Sequence, residues 1–263
     1  MSHTRTQSRL PGAANDTIMN ATDSTETTAT PPASGSRALV AWGVHIFTAS
    51  GAVWGLLALF AIMQGRLGSA VLFMLVSLGI DSIDGSLARK ASVQYYAPGI
   101  DGRRMDDIVD YLNFVIVPCV FMVAAGNVTS PYWVALPVLA SAFGFSQKEA
   151  KTADDFFLGW PSYWNVLAFY LWLLELTPWV GTLWVIGLSV AVFIPYKYIY
   201  PSQLKNKPLR NFIGVTGVLW AFVIAWAALN RDTASAYFVT EASLLFPALY
   251  MGLSFKLGGL HRG

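Results

Sequence analysis

Four aspartates stand at helical spacing where long apolar runs meet a polar loop. Asp81 and Asp84 are three residues apart, and Asp106 and Asp110 are four residues apart. On helices, the members of each pair lie about 60° and about 40° apart around the axis, so each pair shares one helix face. Apolar runs border the group on both sides. Charge is costly at such a boundary, and the residues that carry it are usually functional.

These carboxylates predict a two-metal site. The second and third apolar segments must run antiparallel across a short loop, so the two pairs can face each other at one depth. Four negative charges need compensation, which two divalent cations would supply. Oxygen ligands favour Mg²⁺ or Mn²⁺ over Zn²⁺, and the histidines, His3, His45 and His261, have no metal-ligand spacing. Such sites act most often on phosphate or diphosphate groups, whereas the plain alternative is a solvated acidic loop.

Residues beside the acids suit a diphosphate ligand. Gly85 and Gly102 would let a ligand approach the backbone, Ala88 keeps the same helix face open one turn on, and Arg89 supplies a cation. Each also has an ordinary explanation as a helix end, a packing residue or a membrane-surface charge. Asp107 points about 100° away from the acid pair and is expected to be peripheral.

Composition indicates a polytopic membrane protein. Of the 263 residues, 55% are hydrophobic and 12% are charged, which is too apolar for a soluble globule. We expect a disordered tail over 1–36, a membrane domain over 37–258 and a short C-terminal tail over 259–263. We predict an all-α bundle of about eight transmembrane helices, with six or seven left open, over 38–64, 67–87, 104–126, 131–147, 161–177, 179–198, 210–230 and 234–256.

The placement of basic residues predicts the orientation of the bundle. If both termini are cytoplasmic, all of the 17 Lys and Arg residues except Arg66 and Arg231 fall on the cytoplasmic side, in line with the positive-inside rule. An odd number of spans would break this pattern. The acidic site would then face the cytoplasm. A net charge of +2 gives no reason to expect a nucleic-acid partner.

The acidic stretch resembles a family signature. Its pattern D-x-x-D-G-x-x-A-R, a spacer, then G-x-x-x-D-x-x-x-D is similar to that of the CDP-alcohol phosphotransferase family, with every fixed position present. The resemblance implies an integral membrane enzyme with a core of six spans, here with two added, and sometimes a homodimer. It implies that Asp81, Asp84, Asp106 and Asp110 hold two Mg²⁺ or Mn²⁺ ions, and that Asp110 is also the general base.

A long spacer narrows the resemblance. The twelve residues 90–101 resemble the bacterial inner-membrane branch that condenses CDP-diacylglycerol with choline and releases CMP. Segments 44–51 and 151–165 resemble the same branch. The resemblance implies that the residues that bind CDP-diacylglycerol are His45, Thr48, Gly85, Ala88, Arg89, Gly102 and Lys151.

Choline recognition calls for aromatic faces, because a quaternary ammonium has no N–H to donate. Candidate residues are Tyr111, Glu149, Phe156, Trp160, Tyr163 and Trp164. Tyr and Trp also collect at bilayer interfaces as anchors, so that explanation stays open. Serine, inositol or glycerol phosphate are alternative acceptors. A cation transporter is the alternative from another class, but it predicts acids spread through the membrane depth rather than gathered at one face.

Overall fold

The computed structural model describes residues 35–147 and 156–260, and these form a mostly helical bundle. The helices are α1 Gly35–Met63, α2 Leu67–Ala91, α3 Val93–Tyr96, α4 Gly102–Tyr111, α5 Val117–Ala124, α6 Ala135–Ser146, α7 Trp164–Leu173, α8 Pro178–Ala191, α9 Lys207–Leu229, α10 Arg231–Ala236, α11 Val239–Ser243 and α12 Leu245–Leu257. A π-helical segment, Leu112–Ile116, joins α4 to α5, and short 3₁₀ turns lie at Pro131–Val134 and Pro201–Gln203.

The helices α1 and α2 form a long antiparallel hairpin. The chain reverses at Gly65, whose φ of +69° lies in the left-handed region that favours glycine. The inner face of α1 is made of small buried residues, including Ala41, Ala58 and Ala61. Small residues let helix backbones approach closely in an apolar environment. The two helices therefore pack along their length, and α1 offers a close-packing face to its other neighbours.

The segment that carries the second acid pair is one continuous helical rod. Asp101 caps its start, since the Asp101 carboxylate accepts a hydrogen bond of 3.1 Å from the backbone N–H of Arg104. The rod widens into a π-helical segment that ends just before Pro118. Pro118 has no backbone N–H, so it cannot donate the α-helical hydrogen bond to the carbonyl four residues earlier. The wider π-helical turn accommodates the loss of that bond.

Within residues 35–147 and 156–260, four helical segments are long and apolar enough to cross a bilayer: Gly35–Met63, Leu67–Lys90, Gly102–Ala124 and Lys207–Leu229. The predicted fifth and sixth spans contain the shorter helices α7 and α8, and the predicted last span is divided into α10, α11 and α12. The left-handed backbone at Phe238, with φ +54°, interrupts the helix within that last apolar run. The count of eight spans is therefore not confirmed.

A small three-stranded antiparallel sheet, which the sequence did not predict, accompanies the helices. Its strands are β1 Phe156–Leu158, β2 Tyr196–Ile199 and β3 Gly259–Leu260, in the order β1-β2-β3. Phe157 pairs with Tyr198, and Lys197 pairs with Gly259. Pro195 and Pro201 flank β2, and proline is poorly suited to helix interiors. The sheet thus ties two loops to the C-terminal end of the chain, including the first residues of the expected tail.

Candidate active site

Three of the predicted metal ligands meet between α2 and α4. Carboxylate oxygens of Asp81, Asp84 and Asp106 all lie within 4.8 Å of one another. Helix α2 places Asp81 and Asp84 on one face, and α4 brings Asp106 against that face. Asp84 is only 5% exposed. Carboxylates gathered this closely and partly removed from water favour a bound cation.

Asp110 completes the group one helical turn further along α4. It interacts electrostatically with all three other acids. The site thus brings together the four aspartates that the sequence singled out. Its potential metal ligands are oxygens only, and the negative charge of four ionised carboxylates would balance the positive charge of two divalent cations. The residues therefore fit hard cations such as Mg²⁺ or Mn²⁺.

Helix α1 sets the position of the rod that carries Asp110. The Asn113 side-chain amide donates a hydrogen bond of 3.0 Å to the backbone carbonyl of Gly51. A methyl group added at Gly51 would lie 2.8 Å from a methyl carbon of Val109, and one added at Gly55 would overlap the Asn113 amide oxygen. We call Gly51 and Gly55 the glycine face of α1. Val109, before Asp110 in the chain, and Asn113, after it, pack against this face. Asn113 was missed in the sequence, although a lone asparagine in an apolar run was a usable signal.

The nucleotide-contact candidates on α1 lie beside the start of α4. His45 and Thr48 are both buried, and a methyl group added at Gly102 would lie 3.2 Å from the His45 ring. The His45 Nε2 atom is buried and has no hydrogen-bond partner among the described residues. Buried polar atoms are normally paired. That nitrogen is therefore a candidate for contact with a ligand at the head of α4.

The candidates on α2 continue outward from the acids on one helix face. Gly85 and Arg89 are exposed, and Ala88 is half-buried. The Arg89 guanidinium donates a hydrogen bond of 3.1 Å to the Ser86 hydroxyl, which leaves other N–H groups of the fork for a phosphate oxygen. A methyl group at Gly85 would meet only the Arg89 side chain, at 3.5 Å.

The structure separates the choline candidates into two sets. In the first set the side chain already has a partner within the protein, and the second set consists of Trp160 and Tyr163, which are half-buried. The Trp164 side chain is fully buried and its indole N–H donates to the Ser141 hydroxyl at 2.8 Å, while the Tyr111 hydroxyl donates to the Val138 carbonyl at 2.8 Å. Phe156 pairs within the sheet. Glu149 and Lys151 lie outside the described residues.

Two tyrosines that the sequence did not single out pack against this second set. Tyr198 from β2 and Tyr250 from α12 lie next to Trp160 and Tyr163 respectively. Tyr163 precedes α7, and its hydroxyl shares a hydrogen bond of 3.4 Å with the Tyr250 hydroxyl. Tyr163 also interacts electrostatically with Asp81. No spacing pattern in the sequence links Tyr250 to Tyr163.

Asp81, Asp84 and Asp106 form an oxygen-only cluster, and the helical segments that carry them are long and apolar enough to cross a membrane. Residues 45–195 match the family model of the CDP-alcohol phosphatidyltransferases. The chain belongs to that family, as the acidic signature indicated. The matched region includes all four acids and the loop before α7.

Curated relatives cover most of the chain. A phosphatidylcholine synthase of Legionella pneumophila is 36% identical over 86% of this chain and 91% of its own length. A phosphatidylcholine synthase of Borreliella burgdorferi is 32% identical over 82% of this chain and 93% of its own length. A third, from Pseudomonas aeruginosa, is 34% identical over 63% of this chain and 71% of its own length.

Proposed function

We propose that the protein transfers the phosphatidyl group of CDP-diacylglycerol to choline, giving phosphatidylcholine and CMP. The observation that carries the proposal is the convergence of four aspartates between α2 and α4. Membership of the family and likeness to relatives named phosphatidylcholine synthase support the same reaction. The long spacer over 90–101 supports choline as the acceptor.

The acidic group divides naturally into ligands and a base. Asp81, Asp84 and Asp106 would hold the cations, and Asp110 would both contribute a ligand and accept the proton of the choline hydroxyl. Bound Mg²⁺ or Mn²⁺ would stabilise the charge that develops on the phosphate oxygens. Asp110 lies one turn, about 6 Å, from Asp106 along α4, which suits a group that meets the acceptor rather than the nucleotide.

The chemical step is a displacement at phosphorus. The choline oxygen forms a bond to the lipid-side phosphorus, and the bond from that phosphorus to the CMP oxygen breaks. The hydroxyl proton passes to the Asp110 carboxylate, and CMP leaves as the anion. The Arg89 guanidinium and the backbone near Gly85 would orient the diphosphate, with His45 and Thr48 beside the nucleotide.

We place the site at the cytoplasmic face of a bacterial inner membrane, with both chain termini on that side. The distribution of Lys and Arg supports this orientation. CDP-diacylglycerol would enter from the bilayer with its polar head at the acids, while choline would enter from the cytosol. An interfacial site lets the chain bind one substrate from each phase.

The test is to supply the purified full-length chain in detergent with CDP-diacylglycerol, choline and either Mg²⁺ or Mn²⁺. CMP and phosphatidylcholine should form in equal amounts, and EDTA should stop both. Product with serine, inositol or glycerol phosphate but none with choline would overturn the acceptor assignment. Absence of CMP with every acceptor would overturn the transferase assignment.

The base assignment has its own variant. Asp110→Asn keeps the size of the side chain but cannot accept the proton, so turnover should fall by about 10²-fold or more, while CDP-diacylglycerol is still bound. Near-normal turnover of this variant at saturating metal and choline would remove Asp110 from the role of base.

A further inference from the structure

Four aromatic rings from the segment before α7, from β2 and from α12 pack against one another, and we call Trp160, Tyr163, Tyr198 and Tyr250 the aromatic cluster. Ring centroids lie 6.2 Å apart for Trp160 and Tyr163, 5.6 Å for Tyr163 and Tyr250, and 5.7 Å for Trp160 and Tyr198. The interplanar angles are 79°, 74° and 89° respectively. Each contact is edge-to-face, so the rings present faces in several directions instead of stacking.

Burial separates the cluster into a front and a back. Tyr198 is 7% exposed and Tyr250 is 8% exposed, so these rings are almost fully enclosed. Trp160 and Tyr163 keep part of their surface open. The front rings are therefore the ones that can receive a ligand, and the back rings fix their orientation.

Contacts with the site place the front rings near the reacting groups. Trp160 packs in the same apolar cluster as Tyr111, the residue that follows Asp110. Tyr163 lies within electrostatic reach of Asp81. The Trp160 indole N–H is buried without a hydrogen-bond partner among the described residues. An unpaired buried donor is uncommon, and a ligand oxygen beside the ring would satisfy it.

Hydrogen bonds hold the cluster rigidly. The Tyr250 hydroxyl donates to the Ile199 carbonyl at 2.8 Å, and the Tyr250 and Tyr163 hydroxyls share a bond of 3.4 Å. The backbone N–H of Trp160 donates to the Ala191 carbonyl at 3.2 Å. A surface made of rings held in this way loses little side-chain entropy when a ligand binds.

The back rings come from a part of the chain outside the family match. That match ends at residue 195, whereas Tyr198 lies in β2 and Tyr250 lies in α12. The segment 196–260 thus supports a wall of a site whose acids lie on α2 and α4.

We propose that the open faces of Trp160 and Tyr163 receive the trimethylammonium group of the acceptor, and that Tyr198 and Tyr250 are positioning residues for them. The assignment rests on the proposed function. A quaternary ammonium donates no N–H hydrogen bond and is attracted by ring faces. A primary amine must instead give up strong hydration and N–H bonds, so the same wall selects against less methylated alcohols.

The experiment measures KM for choline and for N,N-dimethylethanolamine with the purified full-length chain. Trp160→Leu and Tyr163→Leu should each raise the KM of choline about tenfold, the range of a cation–π contact. The preference for choline over the dimethyl analogue should fall, and the KM of CDP-diacylglycerol should stay within about twofold. Trp179→Leu is the matched control, because Trp179 is 70% exposed at the start of α8.

The role of Tyr250 is tested by rescue. Tyr250→Leu should raise the KM of choline without changing that of CDP-diacylglycerol. Tyr250→Phe keeps the ring and loses the hydroxyl bonds, so it should recover most of the affinity. Equal and general loss of activity in both variants would mean that Tyr250 only supports the fold.

A measurement on the unaltered chain keeps the proposal open to refutation if the variants fold poorly. Tetramethylammonium should inhibit competitively against choline and not against CDP-diacylglycerol, whereas ammonium at the same concentration should not inhibit. Unchanged choline KM in both front-ring variants, or lack of competition by tetramethylammonium, would overturn the assignment while phosphatidylcholine is still formed. Failure of the unaltered chain to use choline would instead overturn the proposed function, and the ammonium site with it.

Discussion

The glycine face of α1 offers the most direct test of how the fold positions Asp110. Gly55 faces the Asn113 amide, so the methyl group of Gly55→Ala would overlap the amide oxygen and lie 3.3 Å from both the amide carbon and a methyl carbon of Leu112. Asn113 follows Asp110 by three residues on the same rod. The variant should therefore displace the helical segment at Asp110, the proposed general base.

The expected fall in kcat follows from the two ways in which the protein can relieve the overlap between the added methyl group and the Asn113 amide. Swinging the Asn113 amide away breaks its bond to the Gly51 carbonyl and leaves buried polar groups unpaired, at a cost of about 1–3 kcal/mol. Moving the rod instead costs a similar amount in packing. A shift of about 1 Å at a catalytic group lowers turnover about 10²-fold, so we expect kcat to fall about ten- to hundredfold.

The assay is CMP release at saturating CDP-diacylglycerol and choline, together with the thermal midpoint of unfolding. Gly43→Ala on the same helix is the matched control, since a methyl group there meets nothing within 4 Å. Both variants gain the same helix propensity, about 0.5–1 kcal/mol, so the comparison removes that effect.

Combining Gly55→Ala with Asn113→Ala sharpens the test. Removing the amide makes room for the methyl group, so the double variant should be less impaired than the sum of the single effects, by about 0.5–3 kcal/mol. Turnover of Gly55→Ala within twofold of Gly43→Ala, or strictly additive losses, would refute the steric reasoning.

Two further predictions use neighbouring residues as controls. Asp106→Asn should abolish metal-dependent turnover and weaken Mn²⁺ binding measured by calorimetry, while Asp107→Asn, which points about 100° away on the helix, should keep both; equal losses in the two variants would contradict the ligand assignment. At the opposite end of the bundle, Gly181→Ala should lower the thermal midpoint because its methyl group would overlap the backbone carbonyl of Asn127, whereas Gly187→Ala on the same helix has open space. Similar thermal midpoints for Gly181→Ala and Gly187→Ala would show that the backbone at Asn127 moves away from the added methyl group at little cost.

The acidic site was largely predictable from the sequence because its geometry is local. Aspartates three and four residues apart share a helix face whatever the rest of the fold does. A short connection between two apolar helices makes them antiparallel, which brings the two faces together. The structure places Asp81, Asp84 and Asp106 as that argument requires.

The number of membrane spans was less predictable. Apolar composition marks a segment as buried in protein or lipid but does not say whether it runs unbroken. The predicted span 234–256 is mainly apolar, yet it is divided by the left-handed backbone at Phe238. Likewise, the short sheet was not predictable from local patterns. Its strands β1 and β2 are separated by roughly 40 residues in the chain, and β2 and β3 by roughly 60.

The sequence by itself determined the family and which acids gather, because carboxylate spacing on a helix is a property of consecutive residues. Only the tertiary structure decided which aromatic rings stay partly exposed. Trp164 and Trp160 are four residues apart and chemically alike, yet Trp164 is fully buried and Trp160 is partly exposed. The difference comes from tertiary contacts: Trp164 lies in the core and donates a hydrogen bond to Ser141 of α6, whereas Trp160 lies before α7 and packs against Tyr163 and Tyr198.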